Sequence, residues 1–384
     1  MTTLETGVWI RLSNKLEALL QTRPATPFLA IDLDLVRRKY GDLRANFARA
    51  VIHYTVKANP APGIISTLAA LGAHFDIGSR AELDLCLGQN VTPERISFGH
   101  TVKKAADIAY AFERGVRWFG FDSEAELEKL AQHAPGAGVL CRVQTTGEHA
   151  DWPVSRKFGC VPEMALDLLT RSRDRGLVPL GVSFHVGSQQ TDPSQWRAPL
   201  MEAATLYREL GRRGIDLPRI DIGGGFPAQY RGRIAPLDRY AGMIHRALAD
   251  AFGVSCPAVT IEPGRAVVAE AGVIQSEIVL IAHKSPDAGT RWVYLDIGKF
   301  GGLTETLDEC IRYRLRTPRT GQTGPVILAG PTSDSQDILY EHTAYDLPLT
   351  LAIGDRVEIL NAGAYTSGFA SAFNGFPPLR TYCL

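Results

Sequence analysis

The chain alternates short β-rich runs with helical segments between about residues 50 and 265, and this rhythm constrains its fold most strongly. The runs are IHYTVKA (52–58), HFDIGS (74–79), RISFGH (95–100), WFGFDS (118–123), VLCRV (139–143), LGVSFHVG (180–187), RIDIGGGF (219–226) and VTIEPGR (259–265). Several of the segments between them end in glycine, as helix C-caps do. Eight strand–helix units exceed the roughly six strands of a Rossmann sheet and predict a (β/α)8 barrel, an α/β fold.

After about residue 270 the runs continue without long helices between them, which predicts an all-β domain. Before residue 26 the sequence predicts one amphipathic helix, and ATPFLAIDLD then predicts a strand leading toward the barrel. We therefore expect three parts: an N-terminal segment (1–26) that packs with the C-terminal domain, a barrel (27–268) and a C-terminal β domain (269–384).

Charge and composition exclude several classes of partner. Lys and Arg together number 41, as do Asp and Glu, so no global field favours nucleic acid or an anionic membrane. The first residues lack the organisation of a signal peptide, and no apolar run approaches the roughly 18 residues of a membrane span. The cysteines and histidines lack the spacing of metal ligands. We expect a cytoplasmic protein without a metal, nucleic-acid or membrane partner.

Nearly every run of the predicted barrel finishes in a chemically capable residue. These are Lys57, Asp76, His100, Asp122, Arg142, His185, the glycines 223–225, and Glu262 with Arg265. Barrel active sites form at the carboxyl ends of the strands, so these side chains would converge on one mouth. A single polar residue at the end of a strand is commonly only exposed to solvent. The whole set together indicates an active site.

Three features of this mouth indicate a cofactor. Lys57 closes the first strand and, when partly desolvated, would act as an amine nucleophile toward a carbonyl. If Lys57 were the only such feature, a structural lysine would be the favoured interpretation. The triple glycine at 223–225 leaves backbone N–H groups open to a phosphate, and Arg265 would reach the same phosphate. Glu262 would face the ring that carries it. An amine-reactive carbonyl, a phosphate and a ring with a carboxylate partner together describe pyridoxal 5′-phosphate.

The reaction class follows from charge. A carboxylate beside the pyridine nitrogen favours the protonated ring, which then withdraws electrons from the α-carbon of a bound amino acid. His185 is placed to pack against a face of that ring, although a histidine in this position is more often a hydrogen-bonded core residue. We therefore expect amino-acid chemistry at the α-carbon.

At these residues the chain resembles the fold-type III pyridoxal-phosphate enzymes, and within them the ornithine/diaminopimelate/arginine decarboxylase family. The motifs that carry the resemblance follow the family's order over nearly the whole chain: YTVKANP, FDIGSRAEL, RKFG, FHVGSQ, DIGGGFP, EPGR, GPTSDS, GAYT and FNGFPP. Alanine racemases are less similar, because the HVGSQ, GGGFP and EPGR set is typical of the decarboxylases.

The resemblance implies roles for individual residues. Lys57 would form the Schiff base with the cofactor, Glu262 would pair with the ring nitrogen, and His185 would stack on the ring. The phosphate contacts implied are Ser188, Gly224, Gly225, Gly264 and Arg265 of the barrel and Tyr365 of GAYT. Asp76, Glu82 and Arg142 match further positions around the cofactor. The family's homodimer is head-to-tail, with each active site completed by the partner's loop, which corresponds to GPTSDS.

The same resemblance suggests a small-molecule amino-acid substrate. Family members with basic substrates carry two acids at positions that match Asp296 and Asp334, which would hold a distal ammonium by charge-assisted hydrogen bonds. Phe373 would line the pocket. L-Ornithine, giving putrescine and CO2, is therefore favoured, with lysine and 2,4-diaminobutyrate left open.

One residue departs from the family pattern. Ser333 stands where the family usually has a cysteine associated with returning a proton to the α-carbon, and a serine hydroxyl is a poorer proton donor. Decarboxylation-dependent transamination is therefore an alternative to simple decarboxylation. An amino-acid racemase and a pseudoenzyme of the antizyme-inhibitor type are less favoured, because Lys57, His185 and the EPGR motif are all present.

Overall fold

The computed structural model describes residues 12–152, 157–287 and 289–384. The chain divides into two compact units. The barrel unit comprises Arg37–Pro227 and Ile234–Val267. The β unit comprises the described residues up to Val36 together with Ala228–Arg233 and Val268–Leu384.

Helices and strands alternate in the first two thirds of the described chain. In order they are α1 (Asn14–Gln21), β1 (Phe28–Ile31), α2 (Leu33–Asn46), β2 (Val51–Thr55), α3 (Pro62–Ala70), β3 (His74–Asp76), α4 (Arg80–Gly88), β4 (Ile96–Phe98), α5 (Ala105–Glu113), β5 (Trp118–Phe121), α6 (Glu124–His133), β6 (Gly138–Arg142), β7 (Ala150–Trp152), α7 (Pro162–Asp174), β8 (Val178–Ser183), β9 (Ser188–Gln190), α8 (Arg197–Arg212), β10 (Arg219–Asp221), α9 (Leu237–Phe252), β11 (Ala258–Ile261) and α10 (Arg265–Val268). The remaining elements are strands: β12 (Gly272–Ala282), β13 (Arg291–Leu295), β14 (Arg314–Arg316), β15 (Thr323–Ala329), β16 (Ile338–Pro348), β17 (Arg356–Leu360) and β18 (Arg380–Cys383).

Eight parallel strands close into a barrel in the order β10-β11-β2-β3-β4-β5-β6-β8. Each of these strands lies within one of the eight runs predicted from the sequence or extends it by one or two residues. The prediction of a (β/α)8 barrel with a separate all-β domain is therefore confirmed. Because all eight strands are parallel, their carboxyl ends meet at one face of the barrel.

Local sequence signals explain where barrel helices begin. Ser79 caps α4 by accepting a hydrogen bond from the Glu82 N–H at 3.3 Å, and Ser123 caps α6 through the Glu126 N–H at 3.4 Å. Both segments carry Ser-x-x-Glu, the capping-box pattern, so the helix start is encoded within four residues.

The β unit is built on an eight-stranded sheet whose main path runs β14-β17-β12-β13-β15-β16. Strand β1 pairs antiparallel with β12 and parallel with β18. Leu12, Leu16 and Leu20, at and beside helix α1, pack in one apolar cluster that also contains Phe28, Ala30, Val273 and Leu360.

The unit boundary differs from the expected domain limits. The barrel unit begins at Arg37 instead of residue 27, because β1 hydrogen-bonds along its length to β12 and β18 of the β unit. Part of the expected N-terminal segment, residues 1–11, lies outside the described residues. Among the described helices, none has both the length and the apolar character needed to cross a bilayer.

Candidate active site

The carboxyl ends of the barrel strands bring most of the predicted site residues together. Asp76, Arg142 and Asp221 are the last residues of β3, β6 and β10, while Glu262 follows β11 directly. Lys57 lies in a single 3-10 turn, Val56–Ala58, that follows β2. A cavity of about 30 Å³ in this part of the barrel is lined by Arg142, His185, Asp221 and Glu262, among others.

A pair of carboxyl groups dominates the electrostatics of this cavity. Burial, with the neighbouring Asp221 next, raises the pKa of Glu262 to about 8. Burial likewise raises the pKa of Asp221 to about 7, although Asp221 Oδ1 accepts a hydrogen bond from the Gly223 N–H at 2.8 Å. The hydrogen bond between them raises the pKa of Glu262 and lowers the pKa of Asp221, so Glu262 holds its proton more readily and the ionised Asp221 suits the pair to a cationic partner.

Asp76 adds a third carboxyl group to the mouth. Its Oδ1 accepts a hydrogen bond from the Gly99 N–H at 3.0 Å. Burial raises the pKa of Asp76 well above its ordinary value, the charge of Glu262 adds to that, and the charge of Lys57 opposes it. The Lys57 side chain is exposed, where partial desolvation had been expected. The charge of Lys57 lowers the pKa of both Asp76 and Glu262, so its ammonium lies within electrostatic reach of the two carboxyl groups.

His185 is held in a defined neutral form. Its Nδ1 accepts a hydrogen bond from the Gly187 N–H at 2.9 Å, which leaves the ring proton on Nε2. Burial, followed by the charges of Arg142 and Lys57, lowers the pKa of His185 to about 3. A neutral, fixed imidazole presents a flat face for a stacked ring.

Glycines beside His185 form a cradle with no room for a side chain. A Cβ atom on Gly224 would lie 2.6 Å from the Glu262 carbonyl oxygen, and one on Gly225 would lie 2.7 Å from the Gly187 carbonyl oxygen. Gly223 and Gly225 also have positive φ angles of 66° and 99°. Among the described residues, the amide groups of Gly224 and Gly225 donate to no protein acceptor, so both N–H groups are available to an anion.

A guanidinium group and a hydroxyl complete the cradle. Arg265 is only 2% exposed, and its terminal nitrogen donates to Ser188 Oγ at 3.0 Å. Gly264 precedes Arg265, and its carbonyl accepts a hydrogen bond from the Val267 N–H. Backbone amides, a hydroxyl and a buried cation are the donors that bind phosphate in proteins.

These residues fit pyridoxal phosphate on structural grounds. The cradle supplies phosphate donors, the Asp221–Glu262 pair suits a cationic ring nitrogen, His185 offers a stacking face and Lys57 offers an amine. Asp221 was not singled out from the sequence. Its place at the end of the β10 run, IDIGGG, was the signal that could have identified it.

Three further predicted residues lie in the barrel unit. Glu82 accepts a hydrogen bond from the Gly78 N–H at 2.6 Å, and Asp122 accepts one from the Gly159 N–H at 2.7 Å. The His100 ring packs against Phe158.

The other predicted residues belong to the β unit. Asp296 Oδ1 accepts hydrogen bonds from Ser276 Oγ at 2.6 Å and from the Glu277 N–H at 2.9 Å. Asp334 Oδ1 accepts one from the Gln336 N–H at 2.8 Å. The Oδ2 atoms of Asp296 and Asp334 accept no hydrogen bond from any residue that the structure describes, which leaves one oxygen of each available.

Ser333 is engaged by a neighbouring turn of the same unit. Its N–H and its hydroxyl both donate to Asn374 Oδ1, at 2.9 and 3.0 Å. Next to Asn374, the ring of Phe373 stacks on Phe300 with centroids 4.6 Å apart. Tyr365, the predicted phosphate contact in GAYT, has a positive φ of 53°.

Asp337 organises the loop that carries Ser333 and Asp334. Its buried carboxylate accepts hydrogen bonds from the Lys299 N–H at 2.7 Å and from the Thr332 N–H and hydroxyl at 3.1 and 2.7 Å. The segment 330–337, GPTSDSQD, contains two acids. Asp337 therefore has a structural role, whereas Asp334 keeps an available oxygen.

Comparison with known proteins identifies the family. Residues 33–269 match the family model described as pyridoxal-dependent decarboxylase, pyridoxal binding domain. The chain is 34% identical to lysine/ornithine decarboxylase of Selenomonas ruminantium over 95% of this chain and 91% of that protein. It is 31% identical to ornithine decarboxylase of Schizosaccharomyces pombe over 92% and 82% of the two chains.

A solved structure agrees with this assignment. The lysine/ornithine decarboxylase of Vibrio vulnificus, complexed with cadaverine, superimposes with a TM-score of 0.88 at 32% identity and covers 97% of this chain and all of that one (100%). The resemblance found in the sequence motifs is confirmed over nearly the full length. The chain therefore belongs to the fold-type III family of pyridoxal 5′-phosphate-dependent amino-acid decarboxylases, the family of the ornithine and lysine decarboxylases.

Proposed function

We propose that this chain decarboxylates a basic L-amino acid, and specifically that it converts L-ornithine to putrescine and CO2. The observation that carries the proposal is the convergence of Lys57, His185, the Asp221–Glu262 pair and the phosphate cradle at one end of the barrel. Relatives named for lysine and ornithine support a basic substrate.

Each barrel residue has a defined task in this proposal. Ser188, Gly224, Gly225, Gly264 and Arg265 of the barrel would hold the phosphate, and a phosphate contact by Tyr365 stays a prediction. Lys57 would hold the aldehyde carbon, and Glu262 would lie at the ring nitrogen with its carboxyl group hydrogen-bonded to Asp221. When bound, pyridoxal phosphate supplies an electron sink that accepts the charge left as CO2 departs.

Neutral His185 would fix the plane of the ring without adding a positive charge above it. Asp76 would act on the charge of Lys57, and Arg142 would act on Asp76 and Glu262, which lie within its electrostatic reach. Backbone N–H groups fix His185 and Asp76, so this part of the site would be organised before substrate arrives.

Asp296 and Asp334 would bind the distal ammonium of the substrate. Each has one oxygen fixed by its own chain and another available, the arrangement needed to orient a carboxylate toward a cation. Phe373 would contact the methylene groups between the two ends of ornithine.

We further propose a homodimer with shared active sites. Phe369, Phe373 and Phe376 are 46%, 39% and 39% exposed. All three lie within five residues of Asn374, the residue that accepts hydrogen bonds from Ser333. Exposed aromatic side chains grouped near a functional loop are typical of surfaces that a partner covers.

Ser333 supports a second candidate outcome. Its hydroxyl hydrogen is committed to Asn374, and a serine hydroxyl is a weak acid, so return of a proton to the α-carbon would be slow. Decarboxylation would then end in an aldehyde and pyridoxamine phosphate instead of an amine.

One experiment tests both outcomes. The holoenzyme is incubated with L-ornithine, L-lysine, L-2,4-diaminobutyrate and L-arginine while CO2, amine and pyridoxamine phosphate are measured together. We expect CO2 and putrescine from ornithine at the highest kcat/KM. No CO2 from any basic amino acid would reject the proposal, and amine without pyridoxamine phosphate would reject the second outcome. Lys57→Ala should lose both CO2 release and the spectrum of the lysine-bound cofactor.

A further inference from the structure

The barrel interior carries a polar cluster around His53, and two of its members, Ser97 and Trp118, also line the cavity of the candidate active site. His53 lies in the middle of β2, Ser97 in the middle of β4, and His74, Trp118 and Arg219 are the first residues of β3, β5 and β10. Barrel interiors are dominated by branched apolar residues, so a cluster of this kind needs an explanation. The functions assigned above use none of these five side chains.

His53 is the centre of this cluster. It is 1% exposed, and its Nδ1 lies 2.9 Å from Ser97 Oγ. Its ring stacks on Trp118, with centroids 5.7 Å apart and planes 14° from parallel, and it also contacts His74. Burial, followed by the charges of His74 and Arg219, lowers the pKa of His53 to about 3, so the imidazole is neutral.

Ser97 connects His53 to the active site. Asp76 and Ser97 are register partners on the neighbouring strands β3 and β4. Ser97 Oγ lies 3.5 Å from Asp76 Oδ1 and 3.4 Å from the Phe75 carbonyl oxygen. With the ring proton on Nδ1, His53 donates to Ser97 Oγ and leaves the serine hydrogen to these two acceptors.

We propose that His53 and Ser97 are positioning residues that hold the Asp76 carboxyl group from inside the barrel. This inference rests on the proposed function, in which Asp76 lies beside Lys57. The charged groups that face Asp76 are Glu262, Lys57, Glu82, Arg142 and Asp221, and the Gly99 amide is a hydrogen-bond donor to it. His53 and Ser97 therefore act through Asp76 on the charge next to the cofactor-binding lysine, and Ser97 itself lines the cavity of the candidate active site.

The direction of the effect follows from the hydrogen bond. A serine hydroxyl that donates to Asp76 favours the ionised carboxylate, so its removal makes Asp76 harder to ionise. A chromophore held at Lys57 responds to that charge. Cofactor absorbance therefore reports on Asp76 independently of turnover.

The test compares holoenzymes of the wild type, Ser97→Ala, His53→Phe and the double variant. Phenylalanine keeps the aromatic stack on Trp118 but removes Nδ1. The absorbance of bound cofactor is titrated with pH, and the dissociation constant of pyridoxal phosphate is measured. We expect Ser97→Ala to move the absorbance inflection that reports the ionisation of Asp76 upward by about half a pH unit and to weaken cofactor binding about threefold. His53→Phe should likewise move the absorbance inflection upward and weaken the binding of pyridoxal phosphate.

A relay through Ser97 also predicts non-additivity. Once the serine hydroxyl is absent, loss of His53 should change nothing further, so the double variant should match Ser97→Ala. His53→Asn, whose amide nitrogen lies near the position of Nδ1, should restore the wild-type titration. The control is Ser172→Ala, which removes another buried hydroxyl, bonded to the Leu169 carbonyl in α7, and should leave the titration unchanged.

Two results would overturn the inference: a wild-type titration in Ser97→Ala, or additive shifts in the double variant. If circular dichroism shows that Ser97→Ala does not fold, the comparison of His53→Phe with His53→Asn tests the inference instead. Identical absorbance titrations of these two variants would reject the inference. Failure of the proposed function is recognised separately, as wild-type holoenzyme that binds cofactor but releases no CO2 from basic amino acids.

Discussion

At the scale of single residues, the Asp221–Glu262 pair sets the pH response of the site. Glu262 has an ordinary pKa of 4.5 that the fold raises to about 8, mainly by burial. Between these values the folded protein without cofactor retains a proton that the unfolded chain has lost. Stability therefore falls as pH rises across this window, by at most about 1.4 kcal/mol per pH unit.

Glu262→Gln should remove the Glu262 contribution to this pH dependence, whereas Asp221 and Asp76, whose pKa values burial also raises, keep theirs. Glutamine resembles the protonated carboxyl group and carries no charge to bury, so the cofactor-free variant should gain stability relative to the wild type above pH 7. Urea unfolding at pH 6 and pH 8 measures the difference. Glu163→Gln, a matched change at an exposed position in the first turn of α7, should show the wild-type slope. Equal slopes for the wild type and Glu262→Gln would contradict the assignment.

The glycine cradle gives a second prediction at this scale. Gly225 has a φ of 99°, and a Cβ atom there would also lie 2.9 Å from the Val186 side chain. Gly225→Ala should lower the free energy of unfolding by on the order of 2 kcal/mol and should weaken binding of pyridoxal phosphate. Calorimetry and equilibrium dialysis measure these effects.

The control for this substitution is Gly211→Ala in α8, where the added Cβ meets no atom within 4 Å. That variant should bind cofactor normally and should be neutral or slightly more stable, because alanine favours helix by about 1 kcal/mol over glycine. Normal cofactor binding by Gly225→Ala would show that the cradle does not approach the phosphate.

At the scale of elements, one buried ion pair ties together the ends of β4 and β5. Lys103 is fully buried and lies 2.9 Å from Glu126 Oε1 of α6. The same ammonium donates to the His100 carbonyl at 2.7 Å and to the Gly120 carbonyl at 2.6 Å. One buried ammonium thus joins the segment that follows β4 to strand β5 and to helix α6.

Lys103→Met should destabilise the protein by about 3 kcal/mol, because it leaves two carbonyl groups without their donor and leaves the buried Glu126 carboxylate with the partly exposed Lys129 as its cation. Urea unfolding gives this value. Lys104→Met, at the exposed neighbouring position, is the control and should change stability by less than about 0.5 kcal/mol. The double variant Lys103→Met/Glu126→Leu should be more stable than Lys103→Met, because it no longer buries the carboxylate. If instead the double variant loses further stability, by as much as the single Glu126→Leu variant does, the two groups are not coupled.

At the scale of the whole molecule, shared active sites predict complementation between inactive variants. Lys57→Ala removes a barrel residue and Asp334→Ala removes a residue of the β unit. If each site uses the barrel of one subunit and the Asp334 loop of the other, half of the sites in a mixed dimer are intact. Random mixing should then restore roughly a quarter of wild-type activity.

Co-expression of the two differently tagged variants, followed by a decarboxylation assay, measures this restoration. The control pair is Lys57→Ala with Arg265→Met, since both residues belong to the barrel and every site of the mixed dimer would carry one defect. Activity restored by the control pair, or by neither pair, would contradict sharing of active sites.

The amino-acid sequence by itself determined the barrel and most residues at its mouth. Strand runs, Ser-x-x-Glu caps and C-terminal glycines act within a few residues, so each element is encoded locally. Once eight parallel strands are recognised, closure carries their polar ends to one face, and Lys57, Asp76, Arg142, His185 and Glu262 meet there. This reasoning needs only the order of the strands.

Only the tertiary structure decided the contacts that depend on register across the chain. The hydrogen bond of Asp221 with Glu262, the hydrogen bonds of Ser333 with Asn374, the pairing of β1 with β12 and the contact of His53 with Ser97 each join residues more than 40 positions apart. No local pattern encodes such pairs, because they arise from strand register and chain closure, which the whole set of packing interactions fixes together.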